Sequence, residues 1–238
     1  MTRINVLGQP RACLPRFRPD AWIPEPTGGE RWIALSDGEG DGMLGQRWFA
    51  GGVWTFDYPA KKLVLCQTPF VPTSEMRRQS VSLGFRHEWG VRTSNHPRFD
   101  MSISGEKVHA LLDTGATVWL SAEALRTAAD DQPAERATSF VSAELFHHWH
   151  QAHPEWRVME KGCQWSWEAI LEVPEVEAAG LKAGPVWFTR RTNDIYAWIS
   201  TFMDRPIPAS IGGNFLGHFR VTVDYPNASA YFEKSEGE

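Results

Sequence analysis

Leu111-Leu112-Asp113-Thr114-Gly115-Ala116-Thr117 is the stretch on which the reading of this chain turns. An apolar run from Val108 to Leu112 feeds straight into Asp-Thr-Gly, and a second, Val118-Trp119-Leu120, leaves it. That pattern predicts a buried strand ending in a tight turn that carries one carboxylate. Gly115 lets backbone approach closely at the turn, and Thr114 offers a hydroxyl able to bridge to a neighbouring loop. The plainer reading is a structural turn in which Asp113 caps a helix starting near Ser121.

About a hundred residues later comes an apolar-apolar-Gly step, Ser210-Ile211-Gly212, and this step is duplicated. Gly42 to Leu65 aligns without gaps onto Ala209 to Phe232 at a constant offset of 167 residues. Gly45/Gly212, Thr55/Thr222, Asp57/Asp224, Tyr58/Tyr225 and Pro59/Pro226 are identical, and four of these fall within five positions. Each copy reads as one device: an apolar pair, Gly, a short helical turn, an alternating strand, a Tyr-Pro turn and a final strand. Pro sets its own φ and pushes its neighbour towards extended geometry, which suits a hairpin turn. A helix cap at Asp113 leaves this duplication unexplained.

Between the copies the pattern is mostly strand. Ser80 to Phe85 alternates, as does Phe99 to Ser104, and Ser104-Gly105 is a turn into Val108–Leu112. Residues 67–77 carry two Pro and no period, so they read as a connector. Ser121 caps a short helix to Ala129, and Ser142 to His153 is a second helix stopped by Pro154. Trp156 to Leu171 reads as a hairpin turning at Lys161-Gly162, and Pro185 to Thr189 as another strand.

Composition agrees with an all-β class. The 238 residues contain 12 Trp, 13 Phe and only 4 Tyr, with 16 Pro and 20 Gly scattered along the chain. A heavy apolar aromatic load with frequent turns argues against a helical bundle. The net charge of −5 lacks the basic footprint of a nucleic-acid partner, and no apolar run approaches the ~20 residues of a membrane span. Cys13, Cys66 and Cys163 are too few and scattered for a disulfide scaffold, so they read as buried or idle thiols. His147, His148, His150 and His153 put imidazole pairs one helical turn apart, but no carboxylate or Cys joins them at tight spacing. They read as a solvated helix face, with no metal expected. Asn227-Ala228-Ser229 fits the glycosylation sequon but reads as a plain turn like its twin Ala60-Lys61-Lys62.

The strand ending in Ala110-Leu111-Leu112-Asp113-Thr114-Gly115-Ala116, a following hairpin, and the Ile211-Gly212 step with its helix and closing strand resemble the aspartic-protease family, specifically its retropepsin-like members. The resemblance covers residues 78–232 as one lobe and 30–65 as the second half of another. It implies an acid-protease β-barrel lobe with short helices, divided into a partial N-terminal lobe at 1–68 and a complete lobe at 69–238. It also implies peptide-bond hydrolysis of a peptide or protein substrate, without cofactor or metal. Asp113 would be general base or acid, with Thr114 and Gly115 as its scaffold. The flap would be the hairpin from Val158 to Leu171, where Gly162 permits motion and Trp165 or Trp167 closes over bound peptide.

Such an enzyme needs two carboxylates that share a proton. This chain has one Asp-Thr-Gly and no Asp-Ser-Gly, and the cluster Asp37 to Gly42 reads as an exposed turn. By the repeat offset the partner Asp would lie 54 residues before Met1. Three expectations follow: a homodimer pairing Asp113 across a two-fold axis, a missing N-terminal half-lobe that holds the second Asp, or a non-catalytic peptide-binding relative. The compartment reads as cytoplasmic if Met1 is the true start, and otherwise as periplasmic or secreted. Ala116 directly after Asp-Thr-Gly is a retropepsin-like choice.

Overall fold

Strands dominate the chain because its apolar residues alternate. In the computed structural model, which describes residues 3–4, 12–13, 33–34, 43–66 and 69–234, this alternation produces two main sheets. Four two-residue strands come first: β1 (Arg3–Ile4) pairs with β2 (Ala12–Cys13), and β3 (Ile33–Ala34) with β4 (Met43–Leu44). The first copy of the repeat then gives α1 (Gln46–Phe49), β5 (Val53–Asp57) and β6 (Lys62–Leu65). After α2 (Ser74–Arg78) and β7 (Ser80–Ser82) come a small hairpin, β8 (His87–Glu88) with β9 (Val91–Arg92), and a long one, β10 (Arg98–Ile103) with β11 (Glu106–Leu112). The long hairpin turns at Ser104 and Gly105, both at positive φ (50° and 79°), as tight two-residue hairpin loops require.

Past Asp113 the chain forms β12 (Thr117–Trp119), α3 (Ala122–Ala128), β13 (Glu135–Ala137), β14 (Ser139–Ser142) and α4 (Ala143–Ala152). Ser121 and Ser142 cap the two helices, accepting from the backbone N–H groups of Ala124 and Leu145. Strands β15 (Val158–Met159), β16 (Ile170–Val173), β17 (Val176–Ala178), β18 (Leu181–Ala183) and β19 (Val186–Arg191) follow. The chain closes with α5 (Asn193–Ser200), β20 (Ala209–Ile211), α6 (Gly213–Leu216), β21 (Phe219–Asp224) and β22 (Ser229–Lys234). Two helices depart from the sequence expectation. The connector contains α2, capped by the Thr73 hydroxyl on Met76 N–H, and α5 had no counterpart. Both are short, and α2 buries only Met76, so neither has a helical apolar stripe long enough to read.

A nine-stranded sheet runs β15-β16-β19-β14-β20-β11-β10-β17-β18. Most neighbours are antiparallel, but β11 runs parallel to β20, with Leu112 opposite Ile211, and β14 parallel to β19. The second sheet, β6-β5-β21-β22-β7, contains both copies of the repeat. Strands β5 and β21 pair antiparallel with Thr55 opposite Thr222, Val53 opposite Asp224 and Asp57 opposite Arg220. Since Thr55 and Thr222 are equivalent repeat positions, the copies are related by a local two-fold axis through this pair. Their hydroxyls hydrogen-bond at 2.8 Å. Residues 53–65 thus share one sheet with residues 80–82 and 219–234.

Aromatic rings join the two sheets. Phe99 of the large sheet and Phe232 of the small one are fully buried with ring centroids 6.2 Å apart, and Phe219 lies 5.7 Å from Phe232. Burying each such ring stabilises by roughly 1.5–3 kcal/mol. The Asp37–Gly42 cluster lies outside the described residues.

Candidate active site

Asp113 sits where the buried strand β11 ends. Its backbone N–H donates to Ile211 O at 2.9 Å, extending the parallel pairing by one residue beyond Leu112–Ile211. The Asp-Thr-Gly turn and the Ile-Gly turn are therefore held side by side by main-chain bonds. One Asp113 carboxylate oxygen accepts from the Gly115 N–H at 3.1 Å, and the Asp113 carbonyl accepts from Ala116 N–H. Asp113 does not cap α3; Ser121 does. Burial pushes the Asp113 carboxyl above its usual range, and the Gly115 N–H partly offsets this.

The sequence pointed to Thr114 as the bridge between the loops. Among the described residues the Thr114 hydroxyl makes no hydrogen bond, and other side chains connect the two turns. Ser139 at the start of β14 accepts from the Gly212 N–H at 3.0 Å and donates to Asn214 Oδ1 at 2.7 Å. Asn214 in turn donates to Trp187 O, and the Thr138 hydroxyl lies 3.0 Å from that of Thr189. This polar network lies behind the turns and is fully partnered, which makes it stiff. A Cβ on Gly212 would lie 1.8 Å from Thr138 O and 2.8 Å from the Ala116 Cβ. Glycine is required there by contact, since its φ of −115° is ordinary.

Two tyrosines feel the Asp113 charge. Tyr196, buried on α5, donates to Ser210 Oγ at 3.3 Å; burial raises its pKa and the Asp113 carboxylate adds to the effect. Tyr58 comes from the first repeat copy. Its ring edge lies 3.7 Å from where a Gly213 Cβ would stand, and burial with the Asp113 charge raises its pKa well above the ordinary value. Neither tyrosine was singled out beforehand for this site. The repeat at Tyr58/Tyr225 was the available signal, and the Thr55–Thr222 pairing makes it interpretable.

The hairpin of Gly162 and Trp165 has only two paired positions, Val158 with Leu171 and Met159 with Ile170, and a loop over 160–169. Lys161 turns the chain at φ 51°. Gly162 is buried, and a Cβ on it would lie 2.6 Å from Ile170 Cγ1, so glycine serves close packing at this position. The loop docks on the segment that leaves the Asp113 turn: Gln164 N–H donates to Trp119 O, and Ser121 N–H to Gly162 O. Trp165 and Trp167 are exposed at 72% and 63%. Burial alone would push the Cys163 thiol up, but Ser166 and the N–H groups of Trp165 and Ser166 hold it below its ordinary value. Cys66 and Cys163 are both free thiols.

A groove of about 730 Å³ opens between residues 85–88 and 200–206. It belongs to the Asp113 end of the sheet, because Arg98 pairs with Leu111 and Leu112 N–H donates to Pro97 O. Asp204, on its wall, holds the buried Arg98 guanidinium through two hydrogen bonds of 2.7 and 2.9 Å. Burial alone would raise the Asp204 carboxyl, yet Arg98 keeps it below the usual range. Arg86, His87, Glu88 and Arg205 give the groove a mixed charge.

On α4, His147, His148 and His150 are exposed, and His148 Nε2 lies 3.0 Å from Glu106. His153 stacks on Trp156 with centroids 4.1 Å apart. The described residues hold no group of three or more His, Cys, Asp or Glu placed to bind a metal. At the sequon, Asn227 donates through its backbone and side chain to Asp224, forming a closed turn. No described helix is long and apolar enough to cross a membrane. Neither protein-family models nor curated proteins match the chain.

Proposed function

We propose that this chain is a retropepsin-like aspartic endopeptidase, with Asp113 as one carboxylate of the catalytic pair. The observation that carries the reading is the joining of the Asp113-Thr114-Gly115 turn to the Ile211-Gly212 turn through parallel main-chain pairing. A stiff polar network behind the turns supports it. In the reaction, one carboxylate takes a proton from a water, which attacks the scissile carbonyl carbon. The protonated partner donates to the carbonyl oxygen, and collapse of the tetrahedral species breaks the C–N bond as the amine is protonated. No cofactor or metal enters this scheme. Peptide main chain would bind as an added strand, with its side chains in the mixed-charge groove.

The second carboxylate would come from a partner copy or from a preceding half-lobe. Among the described residues no other carboxylate hydrogen-bonds Asp113, and this favours a second reading: a peptide-binding protein that keeps the cleft without the dyad. Cleavage of an unfolded peptide library at several protein concentrations tests both. Specific activity (rate per chain) that rises with concentration and is lost by at least 10³-fold in Asp113→Asn supports the dimeric protease. Cleavage by a strictly monomeric sample that survives Asp113→Asn removes the catalytic assignment. Peptide binding without cleavage at any concentration supports the second reading.

A further inference from the structure

The two copies of the repeat end in equivalent strands, β6 and β22, which have different neighbours. Each pairs on its inner side with the strand before it, β5 or β21. On its outer side β22 carries β7, with Ser229 opposite Ser82, Ala230 opposite Val81 and Tyr231 opposite Ser80. At the two ends of this pairing Phe232 N–H donates to Gln79 O at 2.9 Å and Leu83 N–H to Ala228 O at 2.8 Å. Among the described residues β6 has no strand on its outer side and forms an edge of the sheet. Cys66 N–H donates to Val53 O, so the alternation of an antiparallel ladder turns the main-chain groups of Lys62 and Val64 towards β5. The N–H and C=O of Leu63 and Leu65 therefore point outwards. Their repeat equivalents are Ala230 and Phe232, which face β7.

A bare edge is a template for another strand, and edges are ordinarily blunted by charge, Pro or a bulge. Leu63-Val64-Leu65 has no charge and no Pro, and Val64 and Leu65 are 41% and 54% exposed, against 7% and 0% for Tyr231 and Phe232. We propose that the β6 edge is a docking site for one extended segment of another polypeptide, laid antiparallel in the position that β7 takes on β22. The register fixes the partner's chemistry. Its centre is apolar, as Val81 is, and is flanked by small residues, as Ser80 and Ser82 are. Its C-terminal end lies opposite the exposed Lys62 and Lys61, so a carboxylate belongs there. Main-chain bonds supply the affinity and alternate side chains the selectivity. A second folded copy has no such strand to lend, because its own β7 is held by its own β22. The edge belongs to the small sheet, whereas Asp113 ends a strand of the large one. The partner is thus separate from the peptide proposed for Asp113, and the inference stands whether or not Asp113 is catalytic.

Leucine 15N labelling of the full chain reads this edge directly, with the two signals assigned by Leu63→Ile and Leu65→Ile. The probe is the synthetic peptide of residues 78–84, Arg-Gln-Ser-Val-Ser-Leu-Gly, at millimolar concentration. In the dilute free chain the Leu63 and Leu65 amides are expected to exchange with solvent about tenfold or more faster than the Leu83 amide, which Ala228 holds. The peptide is expected to shift both signals and slow their exchange about tenfold or more, leaving Leu83 in place. The same peptide with N-methylvaline at its centre lacks the donor to Leu63 O and is expected to do neither. Leu63→Pro removes an outward donor and spares the β5 ladder, so it should abolish the response with an unchanged melt. If Leu63→Pro fails to fold, the N-methylated peptide carries the test alone. A Ser82→Glu peptide places a carboxylate opposite Lys62 and should bind about threefold more tightly at low salt; weaker binding overturns the register and the proposal with it. Leu63 and Leu65 signals that ignore the peptide, or answer equally to its N-methylated form, overturn the proposal. So does slow exchange already present in the dilute free chain, which would mean that the chain covers its own edge. Protection that grows with chain concentration alone would make a second copy the occupant and overturn it likewise.

Discussion

The two copies of the repeat build the same turn from the same residues and are placed in different company. In the first, Asp57 accepts from Ala60 N–H at 3.0 Å; in the second, Asp224 accepts from Asn227 N–H at 3.0 Å, 167 residues on. The short helices α1 and α6 and the following strands also superpose in sequence. What differs is the neighbour that each copy backs onto. Gly212 is hemmed in by Thr138 O and Ala116, because the second copy lies against the Asp113 turn. A Cβ on Gly45 would meet nothing within 4 Å among the described residues. The second copy backs onto the Asp113 turn, and among the described residues no such turn packs against the first. Identical local chemistry acquires its role from what packs against it.

The sharpest way to break this comparison is to add the same methyl group to both copies. Gly212→Ala forces a Cβ into a backbone carbonyl that cannot retreat without disturbing the Ser139 bond to Gly212 N–H, and should cost about 3 kcal/mol or more. Gly45→Ala meets no neighbour within 4 Å and loses only glycine's advantage over alanine as an N-cap, so it should cost about 1 kcal/mol or less. Urea unfolding of the two variants measures the difference. Equal costs would mean that the first copy is as crowded as the second.

The paired aspartates come next. Asp224 is 1% exposed and accepts two bonds from Asn227, at 3.0 and 2.8 Å. Asp57 is half-buried, with Arg220 at 4.0 Å. Removing the buried acceptor strands the donors that it satisfied, so Asp224→Ala should lose about 2 kcal/mol. Asp57→Ala should lose about 0.5–1 kcal/mol, since its bond from Ala60 N–H is exposed to water, which can replace it, and its ion pair with Arg220 is long. Thermal melts that rank the pair the other way would break the equivalence of the two turns.

How much of this was legible beforehand divides along the same line. The Asp113 strand and turn, the Ser104-Gly105 hairpin and both serine-capped helices could be read because each is set by spacing within a few residues, and the repeat because its two copies can be aligned without gaps. The partners across the fold could not. Ser139, Asn214 and Thr138 are ordinary polar residues in sequence, and they become the bridge behind the turns only once β14 lies between β19 and β20. Thr114 was expected to bridge because its hydroxyl is adjacent to the carboxylate, but adjacency in the chain does not aim a side chain at a neighbouring loop. Gly162 read as a hinge because glycine often marks motion, whereas its contact with Ile170 is a matter of close packing. The docked hairpin loop and the groove at 85–88 and 200–206 are likewise products of long-range pairing.

The axis itself offers a subtler test. Thr55 and Thr222 are each 1% exposed, and their hydroxyls bond one another at 2.8 Å. Perfect equivalence would make Thr55→Val and Thr222→Val equally costly, at about 1–2 kcal/mol for the stranded partner. But Thr55 Oγ1 also lies 3.4 Å from Cys66 Sγ, so after Thr222→Val it retains a weak partner. Thr55→Val should therefore be the worse of the two, and the double variant should cost less than their sum. A double-mutant cycle with no coupling would remove the axis as an energetic feature.

The smallest effect has the opposite sign and belongs to the Asp113 turn alone. Burial raises the Asp113 carboxyl above its unfolded value, so the folded chain holds that proton more tightly than the unfolded chain does. Stability then falls as pH rises from the unfolded carboxylate range through the folded one, and at neutral pH the ionised group is a net burden. Asp113→Asn carries no such charge. It should melt somewhat higher than the parent at pH 7, and the difference should fade as the pH drops below the unfolded carboxylate range and both states are protonated. The first copy, with no such carboxylate turn among the described residues to relieve, should show no such pH-dependent gain for any substitution in its Gly45 turn. A parent chain as stable at pH 7 as Asp113→Asn would mean that a cation or shared proton from elsewhere already compensates Asp113. That outcome would itself point to a second group completing the site.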